Sequence, residues 1–270
     1  QGNAFFDIST TIADRLMLQG GLTVAHVENG LGVDDTRFEP RAGIAWLPTD
    51  GQWLRLAYQE NPDQGFLTSL APVTVVGLTP GDTPVSEGGE VKSLTARWDA
   101  EWNQHVFTFL ELEHQQVEDF GAGLVDRLGT LSADEARIDR ITGGTNIWFG
   151  NGWGAFASAS GFDSEITDGP GDGRVPLVPD WFATAGVSWV HPSQLTFTLS
   201  EVVIGERLGA VDGDELGAQP ITNFSIEWQP WDKRLDLSLD AVNLFDQNFD
   251  LAEDVPAPGR TIVLSGHVRF

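Results

Sequence analysis

The sequence predicts an all-β fold: an antiparallel up-and-down transmembrane β-barrel, about 13 strands of it visible, forming part of a larger, even-stranded barrel. Three observations predict it. Apolar residues recur at every second position through most of the chain, the period of a sheet with one apolar face. The connections between these segments alternate between short and long. Eight of the ten tryptophans sit beside the short connections.

Composition narrows the function classes. The 270 residues carry 40 Asp and Glu against 15 Lys and Arg, a formal charge of −25. Such a chain repels phosphates, which excludes general nucleic-acid binding. There are no cysteines, so disulfides, Cys-ligated zinc, iron–sulfur clusters and thiol nucleophiles are excluded. No stretch approaches the ~18–20 uninterrupted apolar residues of a transmembrane helix, but a membrane-crossing strand needs only ~9–11 residues with one apolar face.

The predicted strands run, in order, over 4–11, 16–28, 38–47, 53–59, 89–103, 106–118, 135–148, 153–161, 181–191, 195–206, 221–229, 235–245 and 261–270. In the second, Leu16, Leu18, Gly20, Leu22 and Val24 share a face. In the fifth, Leu94, Ala96, Trp98, Ala100 and Trp102 oppose Thr95, Arg97, Asp99 and Glu101. Towards the C-terminus, Leu195, Phe197 and Leu199 alternate with Thr196, Thr198 and Ser200. Leu235, Leu237, Leu239 and Ala241 alternate with Asp236, Ser238 and Asp240, and Ile262, Leu264, Gly266, Val268 and Phe270 line the last strand. The best helical candidate, Ser132 to Arg140, has Glu135 three residues after a cap-like serine, but it is short and continues as strand.

Tight connections fall at Ala13-Asp14, Pro48 to Gly51, Asn103 to His105, Gly150 to Gly152, Pro192-Ser193 and Pro230 to Lys233, and longer ones at 29–37, 60–88, 119–134, 162–180, 207–220 and 246–260. Tight turns on one side and long loops on the other are how a barrel crosses a membrane. Trp46, Trp53, Trp102, Trp148, Trp153, Trp189, Trp228 and Trp231 lie at the tight end, as an interfacial aromatic girdle requires. Acidic residues concentrate in the long connections. The polar strand face carries the expected lumen-lining residues Arg55, Arg97, Asp99, Glu101, Glu227, Asp236, Asp240, His267 and Arg269.

The C-terminal series Val242-Asn243-Leu244-Phe245-Asp246, then Pro258-Gly259-Arg260-Thr261, then a strand ending in Phe270, resembles the end of TonB-dependent outer-membrane receptors. The strand–turn–strand unit from Phe38 through Pro48-Thr49-Asp50 to Tyr58, Val178-Pro179-Asp180 and Gly205-Glu206-Arg207 are similar to the same family. The resemblance implies an integral protein of the bacterial outer membrane acting in transport, with outer-membrane lipid, the barrel-insertion machinery and a periplasmic coupling or adaptor protein or domain as partners. It also implies that Phe270 belongs to the insertion signal, although Gly266 departs from the bulkier residue usual there. The family's plug domain and coupling box have no counterpart in 1–270, and an apolar stretch from Phe66 to Leu78 stands where the family has an Arg-Ala-Pro type of segment. A plugless barrel serving as anchor, scaffold or export pore in a larger envelope complex is therefore the alternative.

Strand parity adds a further expectation. A C-terminus on the periplasmic side places residue 1 outside the cell, and thirteen strands are an incomplete even set. The whole of 1–270 is thus expected to be the C-terminal portion of a barrel domain. No nucleophile motif or dinucleotide loop is present, so no enzyme is expected. Asp163, Glu165, Asp168 and Asp172, with Gly169, Gly171 and Gly173 interleaved, form the candidate calcium site. The alternative reading of that segment is a solvated acidic loop. No other cofactor is expected.

Overall fold

The computed structural model describes residues 2–28, 34–60, 74–81, 85–122, 131–169, 173–209, 213–230 and 234–268. The described elements are all β-strands: β1 (Gly2–Ile12), β2 (Leu16–Glu28), β3 (Asp34–Thr49), β4 (Gln52–Glu60), β5 (Val85–Asn103), β6 (Val106–Ala122), β7 (Leu131–Gly150), β8 (Trp153–Asp168), β9 (Trp181–His191), β10 (Leu195–Ile204), β11 (Arg207–Leu208), β12 (Glu215–Leu216), β13 (Gln219–Trp228), β14 (Leu235–Val242), β15 (Asp250–Ala252), β16 (Val255–Pro256) and β17 (Thr261–Val268). Thirteen of them form one sheet in chain order, from β1 to β10 and then β13, β14 and β17. The short pairs β11–β12 and β15–β16 are separate two-stranded hairpins.

Register follows the alternation. Ile44 lies between Leu18 on β2 and Leu56 on β4, and Leu56 faces Ala96 on β5. Tight turns are built where the chain tolerates a positive φ: Ala13 and Asp14 at 52° and 54°, Gly51 at 80°, and the Gly150-Asn151-Gly152 run at 86°, 53° and 84°.

Several strands outrun their expected limits at the long-loop end. β3 begins at Asp34, β5 at Val85 and β7 at Leu131, while β8 continues to Asp168. The sequence there is rich in Asp, Glu, Ser and Gly, which read as loop. Hydrogen bonding to two neighbouring strands extends a ladder irrespective of side-chain type, because β-propensity reflects context more than backbone preference. The helical candidate at 132–140 is part of β7 for the same reason. Asp163, Glu165 and Asp168 accordingly stand on a strand rather than in a loop.

The chain divides into two compact units. The first comprises Gln1–Ala100, Leu110–Ile141 and Phe162–Val175; the second comprises Glu101–Phe109, Thr142–Gly161 and Pro176–Phe270. In the first, burial is inverted relative to a water-soluble sheet. Leu54, Leu56, Leu94, Leu110, Leu112 and Ile141 are exposed, whereas Glu39, Arg41, Gln59, Ser93, Thr95, Asp99, Glu111, Glu113 and Gln115 are buried. In the second unit, Val187 and Leu199 are exposed cross-strand partners, and on the opposite face Ser188 and Thr198 join their hydroxyl oxygens at 2.9 Å.

Candidate functional site: a charged face with a docked hairpin

The polar face of the first unit is held by alternating charges. The Arg55 guanidinium pairs with Asp99. Arg97 donates through Nε to Asp99 (2.9 Å) and through Nη1 to Glu111 (3.1 Å). Arg140 completes the row, 2.9 Å from Glu111 and also paired with Glu113. Strand geometry sets this spacing: Arg97 and Asp99, like Glu111 and Glu113, are two residues apart and so share a face. A second group lies on β1 to β3. Arg41 donates to Asp7 (2.8 Å) and to Thr23 (2.8 Å), and Gln19 donates to Asp7 (3.1 Å). Gly21 leaves room for that pair, since a Cβ there would come within 2.7 Å of both Arg41 Nε and Asp7 Oδ2.

Both groups converge on residues 74–81. Gln19 Oε1 accepts the Val76 N–H at 2.7 Å. Arg55 Nη1 donates to the carbonyls of Val76 (3.4 Å) and Gly77 (3.2 Å). Glu113 Oε1 accepts the Gly81 N–H at 2.9 Å, and Gln115 Nε2 donates to the Gly81 carbonyl at 2.8 Å. Every carboxylate in the row has cationic or N–H partners, as buried charges require.

Of the expected lumen-lining residues, Arg55, Arg97 and Asp99 are brought together here. Glu101 and Glu227 are exposed in the second unit. In that unit Asp236 accepts from Gln229 Nε2 at 3.3 Å, Asp240 from Ser238 Oγ at 3.1 Å, and exposed His267 lies opposite Asp236 in register. Arg269 and Phe270 lie outside the described residues, as does Trp231. Sequence reasoning missed Glu111, Glu113, Gln115 and Arg140. The first three alternate with Leu110, Leu112 and His114, so the strand period could have identified them.

The tryptophans do not share one face: Trp46 lies opposite Leu16 and Leu54 on the apolar side, whereas Trp53 faces Asp99 in register and shares the face of Arg55. In the first unit Trp46 and Trp53 are exposed. In the second, Trp102, Trp148, Trp153 and Trp228 are exposed, and half-buried Trp189 stacks on Trp153 (centroids 5.9 Å apart) and on Phe197 (5.7 Å). Of the candidate calcium ligands, Asp163 and Glu165 pair with Arg137 at 3.5 and 3.2 Å, Asp168 ends β8, and Asp172 lies outside the described residues. A different carboxylate group, Asp180, Glu206 and Glu215, gathers within 4.8 Å in the second unit, all three exposed. Beside it in sequence, Arg207 is buried with Gln219 and the Asp250 carbonyl as acceptors (3.0 and 2.8 Å), and burial pulls its guanidinium below the ordinary arginine value.

Solved structures sharing this fold include the ferric yersiniabactin uptake receptor FyuA from Yersinia pestis, with TM-score 0.67 and 16% identity over 99% of this chain and 45% of that one. The copper transporter OprC gives TM-score 0.66 and 16% identity over 98% of this chain and 48% of its own. The siderophore receptor PiuA from Acinetobacter baumannii gives TM-score 0.65 and 16% identity, with 98% and 42% covered. The chain thus spans less than half the length of each of the three. No curated protein sequence matches it. Residues 1–244 match the family described as TonB dependent receptor-like, beta-barrel. The chain belongs to the β-barrel family of TonB-dependent receptors.

Proposed function

We propose that the chain is barrel wall of an outer-membrane transporter that takes up a metal or metal chelate, with no catalytic step of its own. The inverted burial carries this reading: leucine and isoleucine face outward while a hydrogen-bonded ionic row faces inward. A sheet in water would reverse that arrangement, whereas a strand between lipid and an aqueous lumen requires it. The substrate class is suggested by the uptake receptors and transporters named above. The apolar face and its tryptophans contact outer-membrane lipid, the C-terminal strand ending in Phe270 engages the insertion machinery, and a periplasmic coupling or adaptor protein supplies energy or attachment.

The test uses the full-length protein in its own membrane. Cells with and without it are given radiolabelled ferric hydroxamate, catecholate and carboxylate chelates and cupric ion. Uptake of at least one should fall several-fold in the deletion strain and return on complementation. Equal uptake of all four would sink the proposal. Uptake that survives collapse of the proton-motive force would favour a passive pore.

A further inference from the structure

Residues 74–81 fold back on themselves and lie against the polar face of the first unit. Val75 and Leu78 exchange both backbone hydrogen bonds, at 3.1 and 2.8 Å, leaving Val76 and Gly77 as a two-residue turn. Their φ angles are 45° and 74°. Such a turn suits Asn-Gly, whereas a β-branched residue there is strained. Valine is held because three groups fix it: its side chain is buried, its N–H is bonded to Gln19, and its carbonyl is bonded to Arg55. Val75 and Leu78 are 0% and 2% exposed, packed with Ala45 and Ala57 and beside Met17. The wall is shaped to receive them, since a Cβ on Gly43 would come 2.5 Å from Val75 Cγ1. Thr74, Gly77 and Thr79 are exposed. Strain of this kind persists where the surroundings over-determine a conformation, commonly at functional positions.

We propose that this hairpin is a fixed constriction of the transport path. It is a wall-docked insert that selects solutes by size and by the neutral hydroxyl and peptide surface of Thr74, Gly77 and Thr79. The proposal rests on the reading that the polar face lines that path. Apolar packing on one side and polar clamps at Val76, Gly77 and Gly81 hold the insert in this seat.

The chain has no cysteine, so introduced thiols report unambiguously. In the full-length protein in outer membranes, Gly43→Cys with Val75→Cys should cross-link without added catalyst. Uptake of the chelate carried by the wild type should then stay within about twofold of the wild-type rate. Uptake lost on oxidation and restored by reductant would make the segment a moving gate and overturn the proposal. A membrane-impermeant maleimide should label Thr79→Cys at least tenfold faster than Leu78→Cys, and complete labelling of Thr79→Cys should cut uptake at least fivefold. Equal labelling rates would refute the docked geometry, and undiminished uptake after full labelling would refute the constriction. A wild-type protein that carries no chelate would instead defeat the transport reading itself, and the labelling contrast would show separately whether the hairpin is docked.

Discussion

On β4 to β7 of the first unit the polar face carries Arg55, Arg97, Asp99, Glu111, Glu113 and Arg140, whose side chains reach across strands to pair. On β8 to β10 of the second unit, the same face carries the small residues Ser158, Thr184, Gly186, Ser188, Thr196 and Thr198 beside the uncharged Phe156, Phe182 and Val190. Contacts there are hydroxyl to hydroxyl, with Thr142 and Ser160 at 2.8 Å and Ser188 and Thr198 at 2.9 Å. Both surfaces come from one two-residue alternation. The length of the polar side chain decides what each can do. An arginine or glutamate spans the gap between strands and still offers hydrogen bonds to a third segment, which is how the 74–81 hairpin is held. A serine reaches its neighbour and nothing beyond. The first unit's face can therefore carry an insert, whereas the contacts described on the second unit's face join hydroxyl to hydroxyl.

The comparison is tested most severely at Glu113. This buried carboxylate accepts from Ser93 Oγ (3.1 Å), Gln115 Nε2 (2.9 Å) and the Gly81 N–H, and it pairs with Arg140. Glu113→Ala should destabilise the folded protein by about 3–5 kcal/mol, the cost of breaking a buried ion pair. The value should lie toward the low end, because Arg140 keeps Glu111 as a partner. Glu113→Gln should cost less, since it retains an acceptor for Gly81. Urea unfolding of the purified full-length protein in lipid bilayers measures both. A loss below about 1 kcal/mol for the alanine variant would show that the ionic row does not stabilise this face.

Much of this architecture was legible in the sequence. The thirteen strands and the tight turns follow from period-2 alternation and turn chemistry, because those are local properties of the chain. The strand extensions at Asp34, Val85 and Leu131 were not legible, since they depend on pairing with neighbours. For the site, Arg55, Arg97 and Asp99 could be placed on the right face, yet alternation says nothing about which strands bring charges within 3 Å. The hairpin at 74–81 was visible only as an apolar stretch in a long connection. Its turn is built on valine where asparagine is the usual signal, and tertiary contacts overrule that preference.

The apolar faces should not share the contrast. Leu56 in the first unit and Leu199 in the second are both exposed and both sit among apolar cross-strand neighbours, Ile44 and Ala96 for one and Val187 and Phe224 for the other. If both faces meet hydrocarbon, Leu56→Arg and Leu199→Arg should each cost about 2–4 kcal/mol in a bilayer, falling towards the interfaces. Thr198→Arg, on the polar face, should cost markedly less. The same unfolding measurement ranks the three. A Leu199→Arg variant as stable as the wild type would place that face in water and restrict the membrane reading to the first unit.

The smallest expected effect sharpens the comparison from the other side. Ser188 and Thr198 form a half-buried hydroxyl pair with no charge attached. Ser188→Ala leaves Thr198 without this partner, and the loss should be about 0.5–1.5 kcal/mol, the net worth of one neutral hydrogen bond. Adding Thr198→Val removes the second hydroxyl with little change of shape, so the double variant should recover most of that loss. No such rescue is available at Glu113, where removing one partner leaves a cation and several N–H donors to be satisfied. A double-variant cycle therefore separates the two surfaces by mechanism as well as by size. Ser188→Ala costing more than about 3 kcal/mol, or a double variant worse than either single, would mean that the hydroxyl face holds something beyond its own neighbour and that the two walls are alike after all.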